Sequence, residues 1–169
     1  MTTSNQGISL ITHYENINDN DLSMIGLQPK MDPSRVWTAG WGHAITVNGS
    51  FLKGATNKDI AYATYPNMTV EDADKLLADD LLKQEAKVKL RINIPITQYE
   101  FDALVSYFFN IGYSATMVQL VNQKVSASEI TKWMTSHYIT ADGVFMKGLL
   151  YRRQSEALLF TTGELKFFN

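Results

Sequence analysis

Val36-Trp37-Thr38-Ala39-Gly40-Trp41-Gly42-His43 is the stretch on which the fold turns. Two glycines one residue apart, beside tryptophans, do not belong inside a helix, where each costs about 1 kcal/mol relative to alanine. The β-branched and aromatic neighbours favour a strand. Glycines within a strand mark bends or places where another backbone or a ligand comes close. The stretch therefore predicts a short, bent strand carrying one hydroxyl, Thr38. An aspartate stands just before it, Asp32, and a glutamate further upstream, Glu15.

Toward the N-terminus, the turn-rich run from Ile17 to about Lys30 predicts a loop. Before it, Ile8, Ile11 and Tyr14 recur at helical spacing with Leu10 beside them, which predicts a short helix ending at Glu15. A helix C-terminus disfavours a carboxylate, so Glu15 reads either as a solvated end residue or as a group suited to holding a proton. Toward the C-terminus, Val47-Asn48-Gly49-Ser50-Phe51 signals a hairpin, because Asn-Gly fits the type I′ turn that matches strand twist. Residues 16–65 then read as a small β-rich lobe with little core of its own.

From Thr69 the period changes. Thr69 can cap a helix with Glu71 and Asp72 in its first turn. Val70, Ala73, Leu77, Leu81, Val88 and Ile92 form one apolar stripe up to Pro95. Such a helix of ~24 residues is ~36 Å long. Thr97-Gln98-Tyr99-Glu100 and Ser126-Ala127-Ser128-Glu129 are capping boxes, the first helix stopping at Gly112. Phe101, Phe108, Trp133 and Phe160 fall at core spacing. Gly143 and Gly148 read as loop punctuation before a last helix from about Leu149 to Thr161, ended by Gly163. Residues 69–163 read as an all-helical lobe.

Whole-chain properties narrow the function classes. The 169 residues fit one domain, or two small lobes sharing a core. There is no cysteine, which removes disulfides, thiol nucleophiles and thiolate metal sites. The formal net charge of −2 does not suit a nucleic-acid binder that works through bulk charge. The apolar residues near Ile8 are too few for a signal peptide or a membrane span. The expectation is a soluble chain without stable membrane insertion. Two carboxylates and a hydroxyl near a bent strand would suit glycosidic bond cleavage.

Three blocks give the chain a family resemblance. They are Asp32 through His43, Gln98 through Gly112 (Gln-Tyr-Glu-Phe-Asp-Ala-Leu-Val-Ser-Tyr-Phe-Phe-Asn-Ile-Gly), and Gly148-Leu149-Leu150-Tyr151-Arg152-Arg153-Gln154-Ser155-Glu156. In this order, with a long helix between the first two, the chain resembles the phage-type lysozymes, glycoside hydrolase family 24, over roughly residues 7–163. The resemblance implies an α+β, lysozyme-like fold in a single domain, a small β-rich lobe and a larger helical lobe joined by a long helix, with the active cleft between them. It implies cleavage of the β-1,4 bond between N-acetylmuramic acid and N-acetylglucosamine in peptidoglycan, with no cofactor or metal.

Carried over by resemblance, Glu15 is the general acid. Asp32 is the ionised carboxylate, matched by its spacing to Thr38, and Thr38 holds a water. Sixteen residues (16 to 31) separate Glu15 from Asp32. The family's pattern sets the two closer together, which implies an insertion in Asn16 to Pro29 and leaves Asp19 and Asp21 as rivals. Phe109, Asn110 and Met117 align with substrate-contacting positions, although Met117 differs in type. His43 is implied to pair with Asp80 rather than to act in catalysis. Arg153 and Asp102 read as bracing residues, and of Trp37 and Trp41 one reads as packing.

The implied partner is bacterial peptidoglycan, met by a monomer that accumulates in a host cytosol and reaches the wall with a holin's help. Two other readings remain at this stage. One is a non-catalytic wall-binding module of the same fold. The other is a lytic transglycosylase that uses the glutamate alone.

Overall fold

The computed structural model describes residues 1–15, 27–32 and 34–169. Helix α1 (Asn5–Glu15) buries Gly7, Leu10, Ile11 and Tyr14. Leu10, Ile11 and Tyr14 are buried as expected, whereas Ile8 faces solvent and Gly7 takes its place on the buried face. Gly7 is needed for close approach: a Cβ there would lie 3.0 Å from the Asp102 side chain. The expected loop at 17–26, with Asp19 and Asp21, lies outside the described residues.

The chain divides into two units, one of Glu15–Asp80 and one of Met1–Tyr14 with Leu81–Asn169. The boundary falls inside helix α3 (Val70–Arg91) rather than in the short stretch between 65 and 69.

In the first unit, strands β1 (Lys30–Met31), β2 (Trp37–Ala39) and β3 (His43–Ala44) form an antiparallel sheet in that order. The registers are Lys30 opposite Thr38 and Thr38 opposite Ala44. The expected single bent strand is instead a hairpin. Gly40 (φ 57°) and Gly42 (φ 84°) carry the chain through a reversal between β2 and β3, at left-handed angles that glycine adopts freely. Strands β4 (Thr46–Val47) and β5 (Ser50–Phe51) form the Asn48-Gly49 hairpin, with positive φ at both turn residues as type I′ requires.

A helix the sequence reading missed, α2 (Lys58–Thr64), follows a short 3-10 turn at Ala55–Asn57. It supplies the core the strands lack. Trp37, Ala39, Ile45 and Leu52 pack with Ala61 of α2, with Met68 and with Ala73 of α3. Two-residue strands cannot bury an apolar face unaided, so this sheet is stable only as one wall of a helical packing.

In the second unit, α4 (Gln98–Ile111) is buried continuously from Phe101 to Phe108. A helix apolar on every side must be surrounded. Helix α7 (Lys147–Thr162) packs on both α4 and α6 (Ala127–Ser136), and α5 (Ala115–Asn122) packs on α6. Both expected capping boxes are present, Thr97 with Glu100 and Ser126 with Glu129. Two expectations shift. Gly143 turns a hairpin between β6 (Thr140–Ala141) and β7 (Val144–Phe145), and Gly148 lies within α7. Trp133 is only partly buried and stacks on His137. No helix among the described residues is long and apolar enough to cross a membrane.

Candidate active site

Helix α1 delivers Glu15 as its last residue, partly buried. Its carboxylate lies against the backbone of the β2–β3 turn. A Cβ placed on Gly42 would sit 2.5 Å from Glu15 Oε2 and 3.2 Å from its Cδ. Position 42 is therefore glycine for two reasons: a left-handed φ, and the room that the Glu15 carboxylate occupies.

The turn that seats Glu15 is fixed from the other side by α3. At Gly40 a Cβ would come within 3.3 Å of Ala73. Trp41 Nε1 donates to Asp74 Oδ1 at 2.7 Å. His43 Nδ1 lies 2.6 Å from Asp80 Oδ2, the pairing expected for His43, and its ring meets Tyr65 edge-on at 5.8 Å. Two pins along α3, Asp74 and Asp80, hold four residues of turn. Hydrogen bonds involving a charged group contribute about 1.5–3 kcal/mol each, enough to immobilise a short glycine-rich reversal. No local pattern marks Asp74, whose partner lies 33 positions away in the chain.

Asp32 follows β1 and closes a tight turn. Its Oδ1 accepts the Val36 N–H at 2.7 Å, its carbonyl accepts the Arg35 N–H at 2.9 Å, and its own N–H donates to the Val36 carbonyl at 2.8 Å. One such bond orients a carboxylate while leaving it capacity, since an ionised carboxylate has about four acceptor sites. Thr38, on β2, donates its hydroxyl proton to the Lys30 carbonyl at 3.2 Å across the sheet. With its donor so engaged, Thr38 Oγ1 meets a further group as an acceptor. Glu15, Asp32 and Thr38 all belong to the Glu15–Asp80 unit.

Phe109, Asn110 and Met117 belong to the other unit. Phe109 is half-buried and Asn110 exposed at the end of α4. Arg153 Nη2 donates to Asn110 Oδ1 at 3.0 Å, so the Asn110 amide is oriented from α7. Met117 departs from expectation: it is 0% exposed. It sits on the core side of α5, where the apolar period of that helix places it, and it has no surface with which to touch a sugar.

Behind Asn110 is a buried ionic cluster. Glu156 takes Arg152 Nε at 3.2 Å, Arg153 Nε at 2.9 Å and the Ser106 hydroxyl at 2.7 Å. The Arg153 guanidinium also lies 4.7 Å from the Tyr107 ring centre. Burial pushes the Tyr107 hydroxyl well above its ordinary range. Asp102 braces the N-terminal segment, accepting from Ser4 N at 2.9 Å and Gln98 Nε2 at 2.9 Å. Both match the bracing roles expected of Arg153 and Asp102. Among the described residues no group of three or more histidines, cysteines, aspartates or glutamates is arranged to hold a metal ion.

Known proteins share the fold. The chain is 30% identical to an endolysin of Bacillus phage B103 over 98% of its own length, and it spans 56% of that relative. The structure resembles an endolysin from Escherichia coli O157:H7 phage FAHEc1, with TM-score 0.71 at 28% identity, covering 98% of this chain and 97% of the other. It also resembles the muramidase domain of SpmX from Asticaccaulis excentricus, with TM-score 0.65 at 30% identity over 95% and 98% of the two chains. The sequence model of one family, phage lysozyme, matches residues 24–156. That span takes in Asp32, Thr38, the turn pinned to α3 and the ionic cluster of α7, and the chain belongs to the phage lysozyme family.

Proposed function

We propose that this chain is a peptidoglycan hydrolase that cleaves the β-1,4 bond between N-acetylmuramic acid and N-acetylglucosamine, with Glu15 as general acid and Asp32 and Thr38 as its partners. The observation that carries the assignment is the seat of Glu15. Its carboxylate occupies the space beside Gly42, in a turn tied to α3 by Trp41 and His43. A loose surface glutamate would not need a glycine opposite it. The family match begins at residue 24, so Glu15 stands on this geometry and on relatives whose similarity extends over almost the whole chain. Kinship to endolysins and to a muramidase domain supports the substrate.

The chemistry follows from the positions. The bond from the sugar C1 to the leaving oxygen breaks as Glu15 transfers its proton to that oxygen. Asp32, oriented by the Val36 N–H, faces developing positive charge or takes a proton from water. A water bound to Thr38 donates one proton to Oγ1, because the threonine's own proton is directed to Lys30, and so keeps a lone pair for carbon. Water's oxygen ends on C1 and its proton replaces the one that Glu15 gave up. Whether water attacks directly or after a glycosyl–Asp32 intermediate sets the configuration of the product. Phe109 and Asn110 are substrate contacts in this proposal. The enzyme acts as a monomer on the bacterial wall, which it reaches from the host cytosol through a holin.

The test is loss of turbidity of purified peptidoglycan, with mass spectra of the products, on wild type, Glu15→Gln, Asp32→Asn and Asp21→Asn. General acid catalysis contributes ~10²–10⁴-fold, so Glu15→Gln should fall by that factor, and Asp32→Asn should fall while Asp21→Asn stays active. Reducing muropeptides are expected. Anhydro-muramic products would replace hydrolysis with transglycosylation. Binding without products would leave a wall-binding module. Activity lost in Asp21→Asn and kept in Asp32→Asn would move the aspartate role into residues 16–26.

A further inference from the structure

Helix α1 ends on Glu15, and helix ends fray because their last carbonyls lack partners within the helix. A general acid there needs something to hold the final turn. The two residues before it, His13 and Tyr14, are both gripped by a segment from the far end of the sequence. Gly163, in the left-handed conformation (φ 75°), ends α7 and turns the chain. The residues after it run without regular structure to Phe167 and Phe168.

There the Tyr14 hydroxyl is a hub. It lies 2.5 Å from Ser155 Oγ, 3.1 Å from the Tyr151 carbonyl and 3.3 Å from the Phe168 carbonyl. It accepts the Phe168 N–H at 3.2 Å, and the same N–H reaches Ser155 Oγ at 3.4 Å. Its two lone pairs take the Phe168 N–H and the Ser155 hydroxyl, and its one proton goes to one of the two carbonyls at a time. Burial raises Tyr14 above its ordinary range, so the hydroxyl stays a donor. The Phe167 ring stacks on His13 at 4.0 Å and 14° and meets Tyr14 edge-on at 6.5 Å. Phe167 remains 37% exposed, so its ring fills no core; its contacts are with the last turn of α1.

We infer that Phe167 and Phe168, through Tyr14 and Ser155, are positioning residues for Glu15, a clamp that keeps the end of α1 wound. The inference rests on Glu15 being the general acid. Misplacing a reacting group by about 1 Å costs on the order of 10²-fold in rate. The clamp therefore acts on turnover far more than on substrate affinity.

The experiment compares wild type with Phe167→Ala, Phe167→Tyr, Tyr14→Phe and the control Phe145→Ala, an exposed aromatic on the β6–β7 hairpin. It measures kcat and KM on soluble peptidoglycan fragments well below each melting temperature, and hydrogen exchange of the amides of residues 12–15. Phe167→Ala and Tyr14→Phe should lower kcat by roughly 10–100-fold with KM within about twofold, and should speed exchange in the last turn of α1. Phe167→Tyr should restore both, and Phe145→Ala should change neither. Unchanged kcat per folded molecule, or a fall in kcat without faster exchange at 12–15, overturns the clamp. Glu15→Gln separates the two levels. If it is inactive while Phe167→Ala is fully active, the acid assignment stands and the clamp falls. If it is fully active, the acid assignment falls and takes the clamp's catalytic meaning with it.

Discussion

The Glu15–Asp80 unit and the unit around α4 are stabilised by different means. Around α4 an unbroken buried run from Phe101 to Phe108 packs against α7, and the polar groups admitted there, Arg152, Arg153, Glu156 and Ser106, pair with one another. In the other unit the strands are two or three residues long, and the turn that matters is held by individual pins, Trp41 to Asp74 and His43 to Asp80. A core tolerates exchange of one apolar shape for another but not an uncompensated charge. A pinned turn is sensitive at each pin and indifferent between them. Removing groups from each unit should expose that contrast.

The largest effect belongs to Glu156. Replacing it with alanine removes the carboxylate that Arg152, Arg153 and Ser106 share. Breaking a buried pair by removing one partner costs about 3–5 kcal/mol, a large part of a small domain's stability. Urea unfolding of Glu156→Ala should show that loss. Glu156→Gln, which keeps the hydrogen-bonding shape, should recover only part of it. If Glu156→Ala is as stable as wild type, the cluster is not what organises the helical unit.

Next comes a pin. Asp80→Asn weakens the contact with His43, whose two side chains are about 17% and 15% exposed. The expected loss is about 1.5–3 kcal/mol, and because the pinned turn seats Glu15, activity should fall further than stability alone explains. A loss of stability with full activity per folded molecule would detach His43 from the site.

A glycine pair sharpens the point. Gly42 and Gly49 both have positive φ, 84° and 77°. A Cβ at Gly42 meets the Glu15 carboxylate, whereas one at Gly49 meets nothing within 4 Å. Each alanine variant pays the left-handed strain of about 1–2 kcal/mol. Only Gly42→Ala should also displace Glu15 and depress kcat. Equal activity in the two variants would show that the space opposite Glu15 has no bearing on turnover.

What the sequence made legible was local. The Asn48-Gly49 turn and the two capping boxes sit where they were expected, because each is settled by three or four neighbouring residues. Helix α2 is seven residues long, too short to show a helical period, and Asn57 before it makes no capping bond, its Nδ2 donating to the Lys53 carbonyl instead. Gly148 looked like punctuation and is the exposed second residue of α7, at the start of the helix rather than in its interior. In the candidate site, Glu15, Asp32 and the His43–Asp80 pair came from the family resemblance. Met117 aligned with a surface role that its burial denies. The seat opposite Gly42, the Trp41–Asp74 pin and the Phe167–Phe168 clamp join residues far apart in the chain, and no local pattern announces such pairs.

The smallest effect expected is a pH dependence at the end of α1. Burial holds His13 below the usual histidine range, on the face that stacks against Phe167. The unfolded chain, with histidine at about 6.5, therefore takes up a proton before the folded one does. The His13 contribution is fully present above that value and is lost as pH falls through the lower folded value. His13→Phe keeps an aromatic ring against Phe167 and removes the titration. Between pH 7 and pH 5 its melting temperature should decline less than that of wild type, and the protection of the amides of residues 12–15, relative to their intrinsic exchange rates, should fall less. Such a difference would show that the order at the end of α1 rests in part on one neutral ring lying flat against another, beside the buried Tyr14 and its hydrogen bonds. Parallel slopes for the two proteins would remove His13 from that account.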